Sequence, residues 1–288
     1  MLSWLETESP ELQALATMFG ANWREQLADS QAATRNAFAQ PVLTAFALAA
    51  WRQLQDALPP PQAIAGYSVG ELAAFSVAGV FDAATAQTLA IERAAFMDAC
   101  ARHTVPTGMA GVTGLSAEAL ATVCQRHDLE IAIDGGATAV VGGPRAALPA
   151  FCREAEGLDA RCTLLRVELA SHTRWMAGAS QALAQRLESL DPRRPATVLF
   201  ANATGRRVLT VNDARRALAA QISQCVRWTE CLQGIAERRL GCVLEIGAGA
   251  ALSRQWNERY PHIPARSADE FRSVAAIAAW VRKHATAR

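Results

Sequence analysis

Cysteine pairs at metal-binding spacing are missing from this chain. Its seven cysteines, Cys100, Cys124, Cys152, Cys162, Cys225, Cys231 and Cys242, form no CxxC pair and no cluster with histidine. That excludes a zinc finger or ribbon, and no metal is expected. An odd, scattered set fits buried free thiols in a reducing cytosol, so no disulfide is expected and the expected location is cytoplasmic. Excess charge of one sign is also absent: 28 Lys and Arg stand against 27 Asp and Glu. Without a basic run, or basic residues interleaved with aromatics, nucleic acid is not expected as a partner. Apolar runs such as residues 44–51 are too short to cross a bilayer. The opening Met1-Leu2-Ser3-Trp4-Leu5-Glu6 places an acid where a signal peptide would stay apolar. No membrane partner is expected.

What is present suits a large core: 51% hydrophobic and 19% charged residues over 288 positions, enough for one big domain or a domain with an insert. Residues 1–39 read as helices and loops, and 42–54 as a buried helix. Residues 63–65 form a short apolar strand after Pro59-Pro60-Pro61, followed by a helix over 71–78 and a long helix over 83–103 capped by Asp82. From Pro106 the texture changes. Residues 107–168 give strand, helix, strand, strand, helix, strand, the βαββαβ order of a ferredoxin-like unit. Beyond it, helices alternate with strands at 195–201 and 242–246, and residues 269–283 form a last helix. The expected fold is therefore α/β. A parallel-sheet, hydrolase-like large domain is built from 1–106 and 169–288, and a ferredoxin-like subdomain over 107–168 is inserted in it.

Chemistry concentrates in Ala63-Ile-Ala-Gly-Tyr-Ser-Val-Gly-Glu-Leu-Ala-Ala-Phe75. Gly66-Tyr67-Ser68-Val69-Gly70 is a G-x-S-x-G turn between a strand and a helix. Such an elbow exposes Ser68 at a helix N-terminus, and the Val69 N–H is placed to donate to an oxyanion. A serine hydroxyl needs a base, and histidine is the usual one. Of five histidines, His103 and His127 end helices, His262 lies in a proline loop and His284 in the charged tail. His172 differs. It stands in Leu169-Ala-Ser-His-Thr-Arg-Trp-Met176, where a strand gives way to a helix, and sites gather at strand ends of such sheets.

These segments resemble a family. Gly66-Tyr-Ser-Val-Gly-Glu71, Ala170-Ser-His-Thr-Arg-Trp-Met176, Gln40-Pro-Val-Leu43, Glu92-Arg-Ala-Ala-Phe-Met97, Gln221 before Val226-Arg-Trp228, and Leu244-Glu-Ile-Gly-Ala-Gly249 are similar, in order, to the malonyl-CoA:acyl carrier protein transacylases and the acyltransferase domains of polyketide synthases. The resemblance implies Ser68 as nucleophile, His172 as base and then acid, and Val69 as oxyanion donor. It makes Arg93 the partner of the substrate's carboxylate, and the Gln221 backbone carbonyl the group that orients His172. Gln40 and Tyr67 become pocket residues. It implies malonyl-CoA as substrate and an acyl carrier protein with a phosphopantetheine-type thiol as acceptor, with no bound cofactor. Arg93 also makes chemical sense, because a guanidinium holds a carboxylate by two parallel charge-assisted bonds and rejects a group without one.

Two departures stand out. The family opens with a strand and a Gly-Gln-Gly loop that supplies a second oxyanion donor, and Met1 aligns just beyond it. The expectation is a sheet lacking one strand and a site lacking one donor. Tyr67 stands where a histidine is usual. Tyr67, Trp175 and the Gly66–Ala74 run most resemble the transacylase subunit of bacterial malonate decarboxylase, which implies other subunits of that enzyme as partners. The alternatives are a fatty-acid or polyketide malonyl transacylase, a serine thioesterase or hydrolase, and a non-catalytic subunit. The hydrolase would need a triad acid and usually an HGGG-like loop; no such loop is found, and it leaves the ferredoxin-like insert and Arg93 unexplained.

Overall fold

The computed structural model describes residues 2–285. Helices α1 (Pro10–Phe19) and α2 (Ser30–Thr34) lead into α3 (Asn36–Leu54). This third helix starts upstream of Pro41 and runs through it. The proline falls in the early turns, and buried Phe38, Val42 and Ala45 join Leu12, Leu15 and Trp23 in one apolar cluster that fixes the helix start. Strand β1 (Ile64–Ala65) follows, then α4 (Gly70–Val77) and α5 (Ala83–Arg102), capped by the Asp82 carboxylate on the Thr85 N–H.

Between residues 107 and 164 the chain forms β2 (Thr107–Thr113), α6 (Ala117–Arg126), β3 (Glu130–Asp134), β4 (Thr138–Pro144), α7 (Leu148–Glu156) and β5 (Arg161–Leu164). The antiparallel pairing gives the spatial order β5-β2-β4-β3. Both helices lay their apolar faces, Leu120, Val123, Leu148 and Phe151, on one side of this sheet against Ala110, Val112 and Val141. Cys152 on α7 and Cys162 on β5 are joined by a disulfide, with Cα atoms 5.3 Å apart. This corrects the expectation of free thiols throughout. A tight return from α7 into the edge strand brings together two residues that spacing alone does not connect. Cys100, Cys124, Cys225, Cys231 and Cys242 are free.

The rest of the chain returns to the first part. Helix α8 (Ala177–Glu188) packs on α5, and β6 (Leu199–Ala201) pairs in parallel with β1, Ile64 opposite Leu199 and Ala65 opposite Phe200. Strand β7 (Arg206–Arg207) turns back antiparallel on β6. Helix α9 (Val211–Ala220) precedes β8 (Val226–Arg227), which adds in parallel to the β3 edge and ties the two regions together. Helix α10 (Trp228–Ala236), β9 (Val243–Glu245), α11 (Ala251–Arg259), β10 (Ala265–Ser267) and α12 (Val274–Ala285) complete the described chain. β9 and β10 are parallel partners.

The mixed α/β architecture is the expected one, but its parallel strands do not form a single sheet. β1 and β9 are each the edge of a separate sheet. No described strand lies between them to carry the ladder across. The main core lies where α4, α5 and α8 meet β6, around Leu72, Phe75, Leu89, Met97, Met176, Leu183 and Leu199. No helix among the described residues is long and apolar enough to cross a membrane.

Candidate active site

The turn that carries Ser68 is forced by close approach. A Cβ on Gly66 would sit 2.1 Å from the Gly70 carbonyl oxygen and 2.4 Å from the Glu71 nitrogen, so only glycine fits there. Gly70 faces open space, so the second glycine of the motif is not sterically required. Within the turn Ser68 adopts φ 51°, a left-handed conformation that a non-glycine residue holds only under constraint. His172, at the far side of the pair, is also left-handed, with φ 64°.

Ser68 Oγ lies 2.8 Å from His172 Nε2. The other ring nitrogen, Nδ1, lies 2.6 Å from the Gln221 backbone carbonyl oxygen. A carbonyl only accepts, so Nδ1 carries the proton and Nε2 is free to accept from the Ser68 hydroxyl. The His172 backbone N–H donates to the Ile222 carbonyl at 2.8 Å, which pins the histidine to the end of α9. Burial of the ring, reinforced by the Arg93 charge and opposed by the Gln221 carbonyl, lowers the His172 pKa to about 3. The imidazole is therefore neutral at physiological pH, with the Nε2 lone pair directed at the Ser68 hydroxyl. The Val69 N–H opens α4 beside Ser68 and has no hydrogen-bond partner among the described residues.

Arg93 extends from α5 into this region and is 2% exposed. Nη1 donates to Gln40 Oε1 at 2.5 Å and Nη2 to Gln221 Oε1 at 2.8 Å. Burial lowers its pKa to about 10, while the Glu71 charge acts the other way, so it stays cationic. Gln221 is the junction. Its side-chain Nε2 donates to the Ser68 carbonyl oxygen at 2.6 Å, while its backbone oxygen holds His172. Gln40, itself buried, is steadied by Asn36 and by Met97 Sδ. Thus α3, α5, the elbow and the end of α9 converge on one network.

Tyr67 points elsewhere. It packs edge-on against Trp228, with ring centroids 5.1 Å apart, and burial raises its phenol to about 12. The other histidines lie outside the network. His103 and His127 cap the C-terminal ends of α5 and α6, His127 also meets Glu154 at 2.7 Å, and His262 and His284 stack near Tyr260 and Trp280.

Two residues to which the sequence reading gave no site role, Asn202 and the Glu71 that ends the elbow motif, lie against the Ser68 turn. Asn202, fully buried just past β6, accepts the Ser68 N–H at 2.9 Å and donates to the Gly66 carbonyl at 2.7 Å. Glu71, also fully buried, accepts the Asn202 N–H at 2.6 Å. Burial raises its carboxyl to about 8, against the pull of that N–H and of Arg93. The available signal for Asn202 was its place at the carboxyl end of a strand next to the elbow strand. Chemically, a hydroxyl bonded to a neutral imidazole can lose its proton as it attacks a carbonyl, with the Val69 N–H facing the oxyanion. The buried guanidinium offers a place for a carboxylate. Among the described residues no group of three or more His, Cys, Asp or Glu side chains is placed to hold a metal.

Comparison with known proteins agrees over nearly the full length. Residues 12–287 match a family model described as an acyl transferase domain. The malonyl CoA-acyl carrier protein transacylase of Mycobacterium tuberculosis is 32% identical over 249 residues, covering 83% of this chain and 80% of that protein. The one from Haemophilus influenzae is 29% identical over 74% of this chain and 71% of its own. Among solved structures, an acyl-carrier-protein S-malonyltransferase from Burkholderia pseudomallei superposes with a TM-score of 0.86 at 26% identity, over 93% of this chain and 90% of that one.

Proposed function

The chain belongs to the acyl transferase domain family, and from that premise we propose that it moves a malonyl group from malonyl-CoA to the thiol of an acyl carrier protein through an ester on Ser68. The observation that carries this reading is Arg93. It is a buried cation whose described hydrogen bonds go to two neutral amide oxygens, and Gln221 joins it directly to the Ser68–His172 pair. A buried charge without an opposite charge in contact is costly unless something arrives to pair with it, and a substrate carboxylate does so. The names of the relatives support the same substrate and acceptor.

In the proposed sequence, His172 Nε2 takes the Ser68 proton as Oγ attacks the thioester carbonyl. The Val69 N–H stabilises the oxyanion. Collapse expels the CoA sulfur, which takes the proton back from His172, and leaves a malonyl ester on Ser68. The carrier's phosphopantetheine-type thiol then gives its proton to His172 and attacks the ester; collapse breaks the Ser68 ester bond, Oγ takes that proton back from His172, and the malonyl thioester leaves on the carrier, which completes a ping-pong cycle. The Gln221 carbonyl does the orienting that a carboxylate does in a Ser-His-Asp triad. Acyl-CoA and carrier protein as substrates fit a cytoplasmic enzyme. Tyr67 and Trp175 support the narrower reading that the carrier is that of a malonate decarboxylase, with that enzyme's other subunits as partners.

Intact-protein mass spectrometry after mixing with malonyl-CoA tests the reading. A malonyl adduct is expected on the wild type and none on Ser68→Ala. The adduct should clear on adding a phosphopantetheinylated carrier protein and persist in water alone. No adduct on folded wild type would favour a non-catalytic subunit, and rapid clearance in water would favour a hydrolase. Comparing a malonate decarboxylase carrier with a fatty-acid carrier as acceptor tests the narrower reading, which fails if the fatty-acid carrier is preferred.

A further inference from the structure

We infer that Asn202 is a positioning residue that holds the nucleophile turn in its reactive shape, and that Glu71 fixes Asn202; this rests on the Ser68 acyl-enzyme reading above. The parallel ladder between β1 and β6 ends at Ala65 opposite Phe200. Beyond that point the elbow leaves the sheet, and its backbone groups need partners that no strand can supply. The Asn202 side chain supplies them. A primary amide has the donor and acceptor of a peptide unit, and here it spans the turn, with Nδ2 on the Gly66 oxygen and Oδ1 on the Ser68 N–H. Its orientation is fixed by those partners, since the Gly66 oxygen only accepts and the Ser68 N–H only donates.

Asn202 is itself held at every polar group. Its N–H donates to Glu71 Oε1, and its carbonyl accepts the Arg227 N–H at 2.8 Å. Three ties therefore converge on the left-handed Ser68: Oδ1 of Asn202 on its N–H, Nε2 of Gln221 on its carbonyl, and His172 on its hydroxyl. Strained backbone persists where the surroundings over-determine it. If the amide is removed, Ser68 can relax toward ordinary φ. Oγ then swings from His172, and the Val69 N–H loses its aim. Misplacement of reacting groups by about 1 Å costs on the order of 10²-fold in rate.

The test compares wild type with Asn202→Ala and Asn202→Asp, each confirmed as folded by circular dichroism. Two rates are read: malonyl-ester formation from malonyl-CoA, and labelling of Ser68 by a fluorophosphonate, which needs the Ser–His pair but no carboxylate. Asn202→Ala is expected to lose about 10²-fold in the acylation rate constant, with the malonyl-CoA concentration at half-saturation changed less than about threefold, because the Arg93 contacts remain. Aspartic acid can imitate the amide only while protonated. As a carboxylate it cannot donate to Gly66 and stands beside Glu71, so its rate relative to wild type should fall at least about tenfold from pH 5 to pH 8. A merely structural role would lower the melting temperature and leave the pH profile parallel to wild type. A folded Asn202→Ala with wild-type rates overturns the inference, and so does a parallel Asn202→Asp profile; if Asn202→Ala does not fold, the aspartate profile decides. Wild type that reacts with the fluorophosphonate but not with malonyl-CoA refutes the malonyl reading instead, and the fluorophosphonate rates then decide the role of Asn202.

Discussion

Replacing Arg93 by methionine keeps most of the stem volume inside the protein and deletes the charge. In the free protein the guanidinium is bonded to two neutral amides, so its removal costs two charge-assisted hydrogen bonds, leaves two buried amide oxygens without that donor, and, in opposition, relieves a desolvated cation. Stability should change by less than about 2 kcal/mol in either direction. The effect on substrate is larger. Two charge-assisted bonds to a malonyl carboxylate, at about 1.5–3 kcal/mol each, amount to roughly 3–6 kcal/mol, or about 10²–10⁴ in the acylation kcat/KM. Acetyl-CoA has no carboxylate and serves as the internal control. The Arg93–Gln221 bond also steadies the Ser68 carbonyl through the same amide, and any loss from that route falls equally on both substrates. The expected result is a collapse of malonyl-over-acetyl preference by about 10² or more, with acetyl acylation slowed only by the shared loss through Gln221. Stopped acylation time courses read by intact mass would give both rates. An Arg93→Met protein that loses both activities in proportion, or keeps its preference, would refute the assignment of the carboxylate to Arg93.

Two further outcomes concern pH. With His172 lowered to about 3 by burial and the Arg93 charge, acylation in the free protein should be nearly flat from pH 8 to pH 5, whereas an imidazole at about 6.5 would lose about thirtyfold at pH 5. Single-turnover acylation across that range decides between them. Glu71 titrates in the opposite sense. Its folded pKa of about 8 exceeds the carboxylate value of 4.5, so the folded state holds more protons than the unfolded state between those values. Its contribution is fully present below about pH 4.5 and is lost as pH rises toward 8. Glu71→Gln should remove that decline, and denaturant titrations of both proteins at pH 5 and pH 8 would show an unchanged slope if the idea is wrong.

Local features were the legible ones. The elbow is written in five consecutive residues, and its strand-turn-helix setting follows from the apolar run before it and the helix formers after it. His172 stood out because the sequence reads there as a strand giving way to a helix; in the structure β5 already ends at Leu164 and His172 lies in the loop that follows. The ferredoxin-like order followed from alternation over 107–168, although β2 takes its partners from β4 and β5, well along the chain. Arg93 was less readable. A single arginine on an apolar helix face is usually a surface residue with a buried stem, and only resemblance marked it out. Asn202 and Glu71 carry no periodicity, and their contacts cross 131 to 136 positions. The Cys152–Cys162 link depends on how α7 returns into β5. The division of the parallel pairs among three sheets depends on which edges find partners, a property that no strand encodes alone.

Several groups that shape this site are not side chains. The imidazole of His172 is oriented by a peptide oxygen, its backbone is anchored by another at Ile222, and the donor proposed for the oxyanion is the peptide nitrogen of Val69. No codon change at position 221 removes that oxygen. A mutational survey would therefore score Gln221 only for its amide, which touches Arg93 and the Ser68 carbonyl, and would be blind to its hold on the base. That hold is inherited through the path of the chain from α9 into the following turn. An insertion or deletion there would move that oxygen, whereas a side-chain truncation at 221 removes the bonds to Arg93 and to the Ser68 carbonyl and leaves the oxygen in place.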